Sequence, residues 1–313
     1  MNPPVFEPFD EPFLHKLERL AILSRRAMAG QLQGERRSPR RGQSVEFADF
    51  RPYTPGDDFR RIDWNAYARL ERFFLKLFVE EEDLTVHLLV DTSRSMDWGQ
   101  PNKLWYALRA AAALGYVALA GLDRVTVTAL ATGKTGNGGH DSLSPRRGKQ
   151  QAFALFQFLS SLEARGTLDL GTALMRYSAA ATHPGPLLLL SDLFDTTPPR
   201  PNPPASRPVA ASDGLNALAA RGFEVTLLHV LAPDEVDPDL AGDLKLLDVE
   251  TGAGVEITAD PDLLGRYRDG LAAWRQELRR FCRARGMHYV PIDTSLPFDE
   301  LLFALLRRRG VLK

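Results

Sequence analysis

From Leu84 onward the chain alternates short apolar runs with longer helical patterns. Leu84–Val90 is almost continuously apolar, as strands buried on both faces are. Lys103–Leu122 follows as a helix whose Leu104, Leu108, Ala111, Gly115, Ala118 and Leu122 share one stripe, small enough to lie close on a sheet. Val125–Leu130 predicts a second strand, Thr132–Gly148 a glycine-rich loop and Gln150–Leu162 a helix. A loop-to-helix junction at Ala164–Leu174 leads to Pro186–Leu190, a buried strand. The Gly214–Arg221 helix and the Glu224–Leu231 strand come next. Leu244–Val249 and Gly254–Thr258, joined across Thr251-Gly252, predict a β-hairpin. A helix from Pro261 to about Arg285, a strand at His288–Ile292 and a helix at Asp299–Arg309 close the chain. Strands alternating with helices predict an α/β fold with a doubly wound, mainly parallel sheet.

The segment before this pattern differs. Glu11 to about Leu32 predicts a helix with Leu14, Leu17, Leu20, Ala21 and Leu23 on one face. A basic loop, Gly34–Gly42, carries Arg36, Arg37, Arg40 and Arg41, a run that is either a solvated face or a contact for phosphate or an acidic partner. A strip from Phe47 to Arg69 then mixes aromatics with acids and arginines. Pro55-Gly56 suits a type II turn, and Asp57 or Asp58 suits the cap of a short helix. Packed with its rings inward, the strip would let Asp49, Arg51, Asp57, Arg60, Asp63 and Arg69 pair with one another. Phe73–Glu80 predicts a strand. The expected organisation is an N-terminal helix, loop and strip over residues 1–83, docked on a main domain over residues 84–313. A proline-rich loop at 197–208 and a hairpin at 243–258 interrupt that main domain.

Composition narrows the function classes. Of 313 residues, 44% are hydrophobic and 25% charged, and 39 Lys+Arg against 40 Asp+Glu leave a formal net charge of −1. That balance makes no global case for nucleic acid or an anionic membrane. The one cysteine, Cys282, allows neither an internal disulfide nor a thiolate zinc cluster. Acids near the N-terminus argue against a signal peptide, and the most apolar helical stretch, Ala107–Leu122, holds Arg109 and is too short to span a bilayer. A cytoplasmic protein with no membrane span is expected.

Candidate chemistry centres on Asp91-Thr92-Ser93-Arg94-Ser95-Met96, where an acid and two hydroxyls leave a strand end together. Alternate residues of a tight loop can converge on one point, and converging hard oxygens suit a hard cation such as Mg2+. The competing reading is that Asp91 caps the next helix and the serines are turn residues. Asp192, at the carboxyl end of the Pro186–Leu190 strand, stands where an α/β sheet gathers ligands.

These residues carry a resemblance. Asp91-Thr92-Ser93-Arg94-Ser95 resembles the metal-ion-dependent adhesion site of von Willebrand factor A domains. With it, the run Phe50-Arg51-Pro52-Tyr53-Thr54-Pro55-Gly56-Asp57-Asp58 through Ile62-Asp63-Trp64 and Ala68-Arg69 resembles domain-of-unknown-function family number fifty-eight. That family is von Willebrand factor A-like and commonly associated with MoxR-type AAA+ ATPases. The similarity runs from about Gly34 to Asp192, with a weaker echo at Asp248-Val249-Glu250-Thr251-Gly252. The resemblance implies that Ser93, Ser95 and Thr167 touch Mg2+ or Mn2+, while Asp91 and Asp192 hold the site directly or through water. Thr167 follows Gly166 as the pattern requires, yet sits one residue out of step with the next helix. Aligned from that helix, Leu168 takes the ligand's place, and Thr172 is a further candidate.

The function implied is a non-enzymatic, metal-dependent interaction module that reads acidic residues of a MoxR-type AAA+ ATPase or its client. Tyr53, Gly56, Asp57, Asp58, Asp63, Trp64, Arg51 and Arg69 are expected to form a structural clasp or a contact strip. One alternative is a metal-dependent phosphoester hydrolase using Asp91 as nucleophile. Against it, Ser93 stands where that chemistry wants a second acid, and the chain has neither a glycine-flanked serine elbow nor a phosphate-binding loop. The other is a nucleic-acid binder working through the arginines of 36–41, which would show steep salt dependence.

Overall fold

The computed structural model describes residues 11–20, 45–54, 59, 62–80, 84–131, 141–194, 211–308 and 310–312, with the side chains of 45–51, 76–80 and 305 excepted. The basic loop 36–41, the Pro55-Gly56 turn with Asp57 and Asp58, and the proline-rich loop 197–208 lie outside the described residues, as does the side chain of Arg51. Contacts divide the chain into two compact units, Met1–Leu23 with Thr85–Lys313, and Ser24–Leu84. The expected boundary at residue 83 therefore splits. The helix Glu11–Leu17, assigned to the N-terminal segment, belongs to the larger unit because Leu17 and Leu20 are buried in its core.

The larger unit is built on a six-stranded sheet. Its strands are β3 (Thr85–Val90), β4 (Arg124–Ala129), β5 (Ser142–Arg147), β6 (Pro186–Ser191), β7 (Glu224–Leu231) and β10 (His288–Asp293), in the order β10-β7-β6-β3-β4-β5. All neighbours are parallel except β4 and β5. β5 lies within the stretch Thr132–Gly148 expected to be loop. It is an antiparallel edge strand, exposed at all but Leu143, so its sequence shows no apolar run. From β3 the chain winds outward through β4 and β5, then returns across β3 to β6 and winds the other way. The crevice between the carboxyl ends of β3 and β6 is thus the switch point of the sheet.

Helices cover both faces, and strand alternation sorts the side chains between them. Val86, Leu88 and Val90 of β3 join Leu188 and Leu190 of β6 in a core with the helix Lys103–Ala120. Leu89, Leu187 and Leu189 point to the other core, with the helices Leu170–Ala180 and Pro261–Ala284. The predicted close approach of the alanine-rich helix is present at Gly115. A Cβ there would lie 2.6 Å from Leu155 Cδ2 and 3.1 Å from Leu88 Cδ1. The hairpin forms as β8 (Gly242–Leu247) and β9 (Gly254–Ala259). Val249 falls in its turn, because Asp248 starts the turn by accepting from the backbone N–H of Glu250 and of Thr251. The closing helix starts at Phe298 and is wound with π-type bonding over Leu301–Leu306. Among the described residues no helix is long and apolar enough to cross a membrane.

In the smaller unit, β1 (Val45–Pro52) pairs antiparallel with β2 (Phe74–Glu80), with a register shift between Phe47 and Asp49. The start of the charged strip, Phe47 to Pro52, is therefore strand. Between these strands runs the helix Trp64–Leu70, whose N-cap is Asp63, accepting from Asn65 N and Ala66 N. Tyr67 stacks on Phe73 with centroids 4.4 Å apart, and Trp64 and Tyr53 meet Phe73 edge-on. Tyr53, Trp64 and Tyr67 thus pack against Phe73, and Trp64 remains 60% exposed rather than turned inward. Arg69 is exposed on the same helix.

Candidate metal centre

Asp91 follows the last residue of β3, and its backbone N–H still donates to Leu190 O of β6 at 2.9 Å. Its carboxylate is buried. Oδ1 accepts from Ser93 N at 2.9 Å and Ser93 Oγ at 2.6 Å, while Oδ2 accepts from Ser191 Oγ at 2.6 Å. Ser93 Oγ and Ser95 Oγ lie 3.0 Å apart. The oxygens of Asp91, Ser93 and Ser95 thus run in one file along the loop. The competing reading holds in part: Asp91 and Ser93 do form a turn, with Oδ1 accepting from Ser93 N, but Asp91 does not cap the long helix. Helix Lys103–Ala120 is capped by Asn102, whose Oδ1 accepts from Trp105 N at 3.0 Å.

Asp192 emerges at the end of β6, fully buried. Burial first, and then the charge of Asp192, push Asp91 up to about 6 against the hydrogen bonds from Ser191 and Ser93. Asp192 is itself held on both oxygens. Oδ1 accepts from Phe194 N at 3.1 Å, and Oδ2 from Lys103 Nζ at 2.7 Å. Lys103 Nζ also donates to Glu235 Oε1 at 2.6 Å. Burial alone would lower the Lys103 ammonium, but the Asp192 and Glu235 carboxylates outweigh it and hold it above its ordinary value. A buried lysine therefore lies between two acids at the base of the crevice.

The loop that carries Thr167 is tied to the same place. Arg165 N donates to Thr92 O at 2.7 Å, and Arg94 N to Gly166 O at 3.2 Å. Thr167 follows, exposed, and Leu168 is buried in the core. Thr172 is occupied elsewhere, donating from Oγ1 to Asp169, the N-cap of helix Leu170–Ala180.

The structure brings Asp91, Ser93, Ser95 and Asp192 together and holds the Thr167 loop against them. Tyr53, Asp63, Trp64, Arg69 and the backbone of Arg51 belong to the smaller unit, while Gly56, Asp57 and Asp58 lie outside the described residues. Sequence reasoning missed Ser191, Lys103 and Glu235. Lys103 offered a signal, as the cation that opens a helix whose other residues, Arg109 apart, are mostly apolar. Glu235 offered none, because its role depends on a strand pairing far away in the chain.

The donor set is all oxygen, as Mg2+ or Mn2+ prefers. Among the described residues no three His, Cys, Asp or Glu side chains gather as a metal-binding group, so a cation here would rely on serine hydroxyls. Ser93 and Ser95 fit that role directly, whereas Asp91, with Oδ1 engaged by Ser93 and Oδ2 by Ser191, fits it through water. Asp192 fits it only through water, since both its oxygens are engaged.

Residues 49–277 match the model of the family described as protein of unknown function DUF58, and the chain belongs to that family. An uncharacterized protein of Mycobacterium tuberculosis is 28% identical over 314 residues, spanning 97% of this chain and 92% of the relative. An uncharacterized protein of Mycobacterium avium is 31% identical over 147 residues, or 46% of this chain and 79% of the relative. Solved structures it is similar to include a von Willebrand factor type A protein from Catenulispora acidiphila, at a TM-score of 0.42 and 16% identity over 73% of this chain and 42% of that one. A conserved hypothetical protein, BatB, from Bacteroides thetaiotaomicron gives a TM-score of 0.42 and 16% identity over 72% of this chain and 98% of that one.

Proposed function

We propose that this chain is a non-enzymatic, metal-dependent protein-interaction module of the cytoplasm. The observation that carries the reading is the file of oxygens from Asp91 through Ser93 to Ser95, beside a second buried acid, Asp192, at the switch point of the sheet. Asp91 raises the local negative charge in a buried crevice, and Ser93 and Ser95 supply neutral oxygens. Lys103 keeps Asp192 in place without cancelling Asp91. When bound, Mg2+ or Mn2+ would supply a Lewis-acidic position at which a glutamate or aspartate of a partner docks. The partner class is the one the family resemblance implies, a MoxR-type AAA+ ATPase or a client that it remodels.

The test is co-elution of the full chain with the MoxR-type ATPase of the same genome. The complex should persist in Mg2+ and be lost both in chelator and in Asp91→Asn. Retention that ignores chelator and substitution alike would overturn the reading. The fold itself should survive chelation, because a cation at a free concentration near its dissociation constant stabilises by only about 0.4 kcal/mol. A melt in which chelator unfolds the chain would count equally against it.

A further inference from the structure

The tip of the β8–β9 hairpin reaches the same loop. Glu250 Oε1 accepts from Ser95 N at 3.4 Å, across 155 residues of chain. Its other oxygen, Oε2, is buried and has no hydrogen-bond partner among the described residues. A buried carboxylate oxygen left unpaired is costly and calls for a partner. The hairpin strands are otherwise exposed along most of their length, so burial of this one oxygen is local to the tip.

The tip is built to hold Glu250 in place. Asp248 Oδ1 accepts from Glu250 N at 2.9 Å and from Thr251 N at 2.6 Å, and these bonds keep the Asp248 carboxyl below its usual range. Gly252 takes φ +73°, where a side chain would be strained, and its N–H donates to Asp248 O at 2.8 Å. Thr251 Oγ1 accepts from Ala253 N at 3.2 Å. The turn is closed by its own bonds, and its one long acidic side chain is aimed at the serine loop.

We propose that Glu250 is an intramolecular ligand of the cation at the Asp91 site, presented by the hairpin in the position an acidic side chain of a partner would take. The proposal rests on the reading of this site as a cation centre. It adds a carboxylate to a donor set that otherwise depends on Asp91 and two serine hydroxyls, and it gives Glu250 Oε2 the counter-charge it lacks. An acidic partner then competes with Glu250 for one coordination position, and the hairpin sets how readily the site is opened.

The experiment titrates the full-length chain with Mn2+ alone, reading free Mn2+ by electron paramagnetic resonance and bound Mn2+ by its enhancement of water-proton relaxation. Glu250→Gln and Glu250→Ala should weaken Mn2+ binding by about tenfold. Relaxation per bound ion should rise in both, because water takes the vacated position. Glu256→Gln, which removes the same charge from an exposed site on β9, should match the wild type in both readouts. Circular dichroism of each variant reports whether the fold is intact, and Glu250→Asp gives a second variant that keeps the charge on a shorter arm. Failure of the wild type to bind Mn2+ would overturn the cation reading and the proposal with it. Wild-type binding that Glu250→Gln and Glu250→Ala leave unchanged would overturn the proposal and leave the cation reading standing. An equal loss in Glu256→Gln would reduce the effect to net charge and overturn it too.

Discussion

The tripeptide Asp-Thr-Ser occurs twice in this chain, at 91–93 and 293–295, each time at the carboxyl end of a parallel strand. The local hydrogen bonds are nearly superimposable. Asp91 Oδ1 accepts from Ser93 N and Oγ at 2.9 and 2.6 Å, and Asp293 Oδ1 from Ser295 N and Oγ at 2.9 and 2.7 Å. Their surroundings share little. Asp91 stands at the central crevice, buried, bonded to Ser191 and facing a second acid. Asp293 ends the edge strand β10, half-buried, with Leu231 of β7 opposite and Ser295 exposed. Even the middle threonines differ, since Thr294 Oγ1 donates to Pro101 O while the backbone carbonyl of Thr92 ties down the Thr167 loop. The loop motif makes a turn wherever it occurs. Place in the sheet makes one of the two turns a candidate site.

The sharpest way to break this contrast is to remove the cation that the crevice already owns. Lys103→Met leaves Asp192 and Glu235 buried without their shared partner and should cost about 3–5 kcal/mol in urea unfolding. A loss below about 1 kcal/mol would mean that the crevice is wetter than its burial implies. Next in size, Asp91→Asn should weaken Mn2+ binding about a hundredfold or more, while Asp293→Asn leaves it unchanged. Equal effects at the two positions would erase the distinction between them. Ser191→Ala deprives the buried Asp91 of a charge-assisted bond and should cost about 2 kcal/mol. Its counterpart on the exposed turn, Ser295→Ala, should stay within about 0.5 kcal/mol.

A pH-dependent effect tests the strand beneath the site. His87 of β3 is buried between Tyr177 Oη, 2.6 Å from Nδ1, and His183 O, 2.9 Å from Nε2. Burial lowers it from an ordinary 6.5 to about 4. The unfolded chain therefore binds the proton first as pH falls. The contribution of neutral His87 is complete above 6.5 and is lost toward 4, by about 1.4 kcal/mol per pH unit. Urea midpoints measured from pH 7 to 4.5 should fall less steeply in His87→Gln than in the wild type. Identical slopes would show that His87 is solvated.

How far each feature could be read in advance follows from the range of its causes. β3, β6 and β7 were legible because burial on both faces requires unbroken apolar runs. The Lys103–Ala120 helix was legible through its small-residue stripe, which Gly115 justifies by its contact with Leu88 and Leu155. β5 was not, since an exposed edge strand needs no apolar pattern. β1 was masked by a charged strip whose alternation of rings and acids obscures the strand period. Asp91, Ser93 and Ser95 were legible because they share one loop, and Asp192 because it ends a strand. Glu235 meets Lys103 across 132 residues of chain and Glu250 meets Ser95 across 155, and no local pattern marks such meetings.

The order of this chain's residues by itself determined the alternation of buried strands with helices, the turn at each Asp-Thr-Ser and the helix caps at Asp63, Asn102, Asp169 and Asp260. Those features depend on bonds within a few residues or on the period of apolar side chains. Tertiary structure alone decided which Asp-Thr-Ser became a crevice, that Lys103 would lie between Asp192 and Glu235, and that Glu250 would come to rest against Ser95. Charge in a protein interior is set by what packs around it, and that is a property of the assembled sheet.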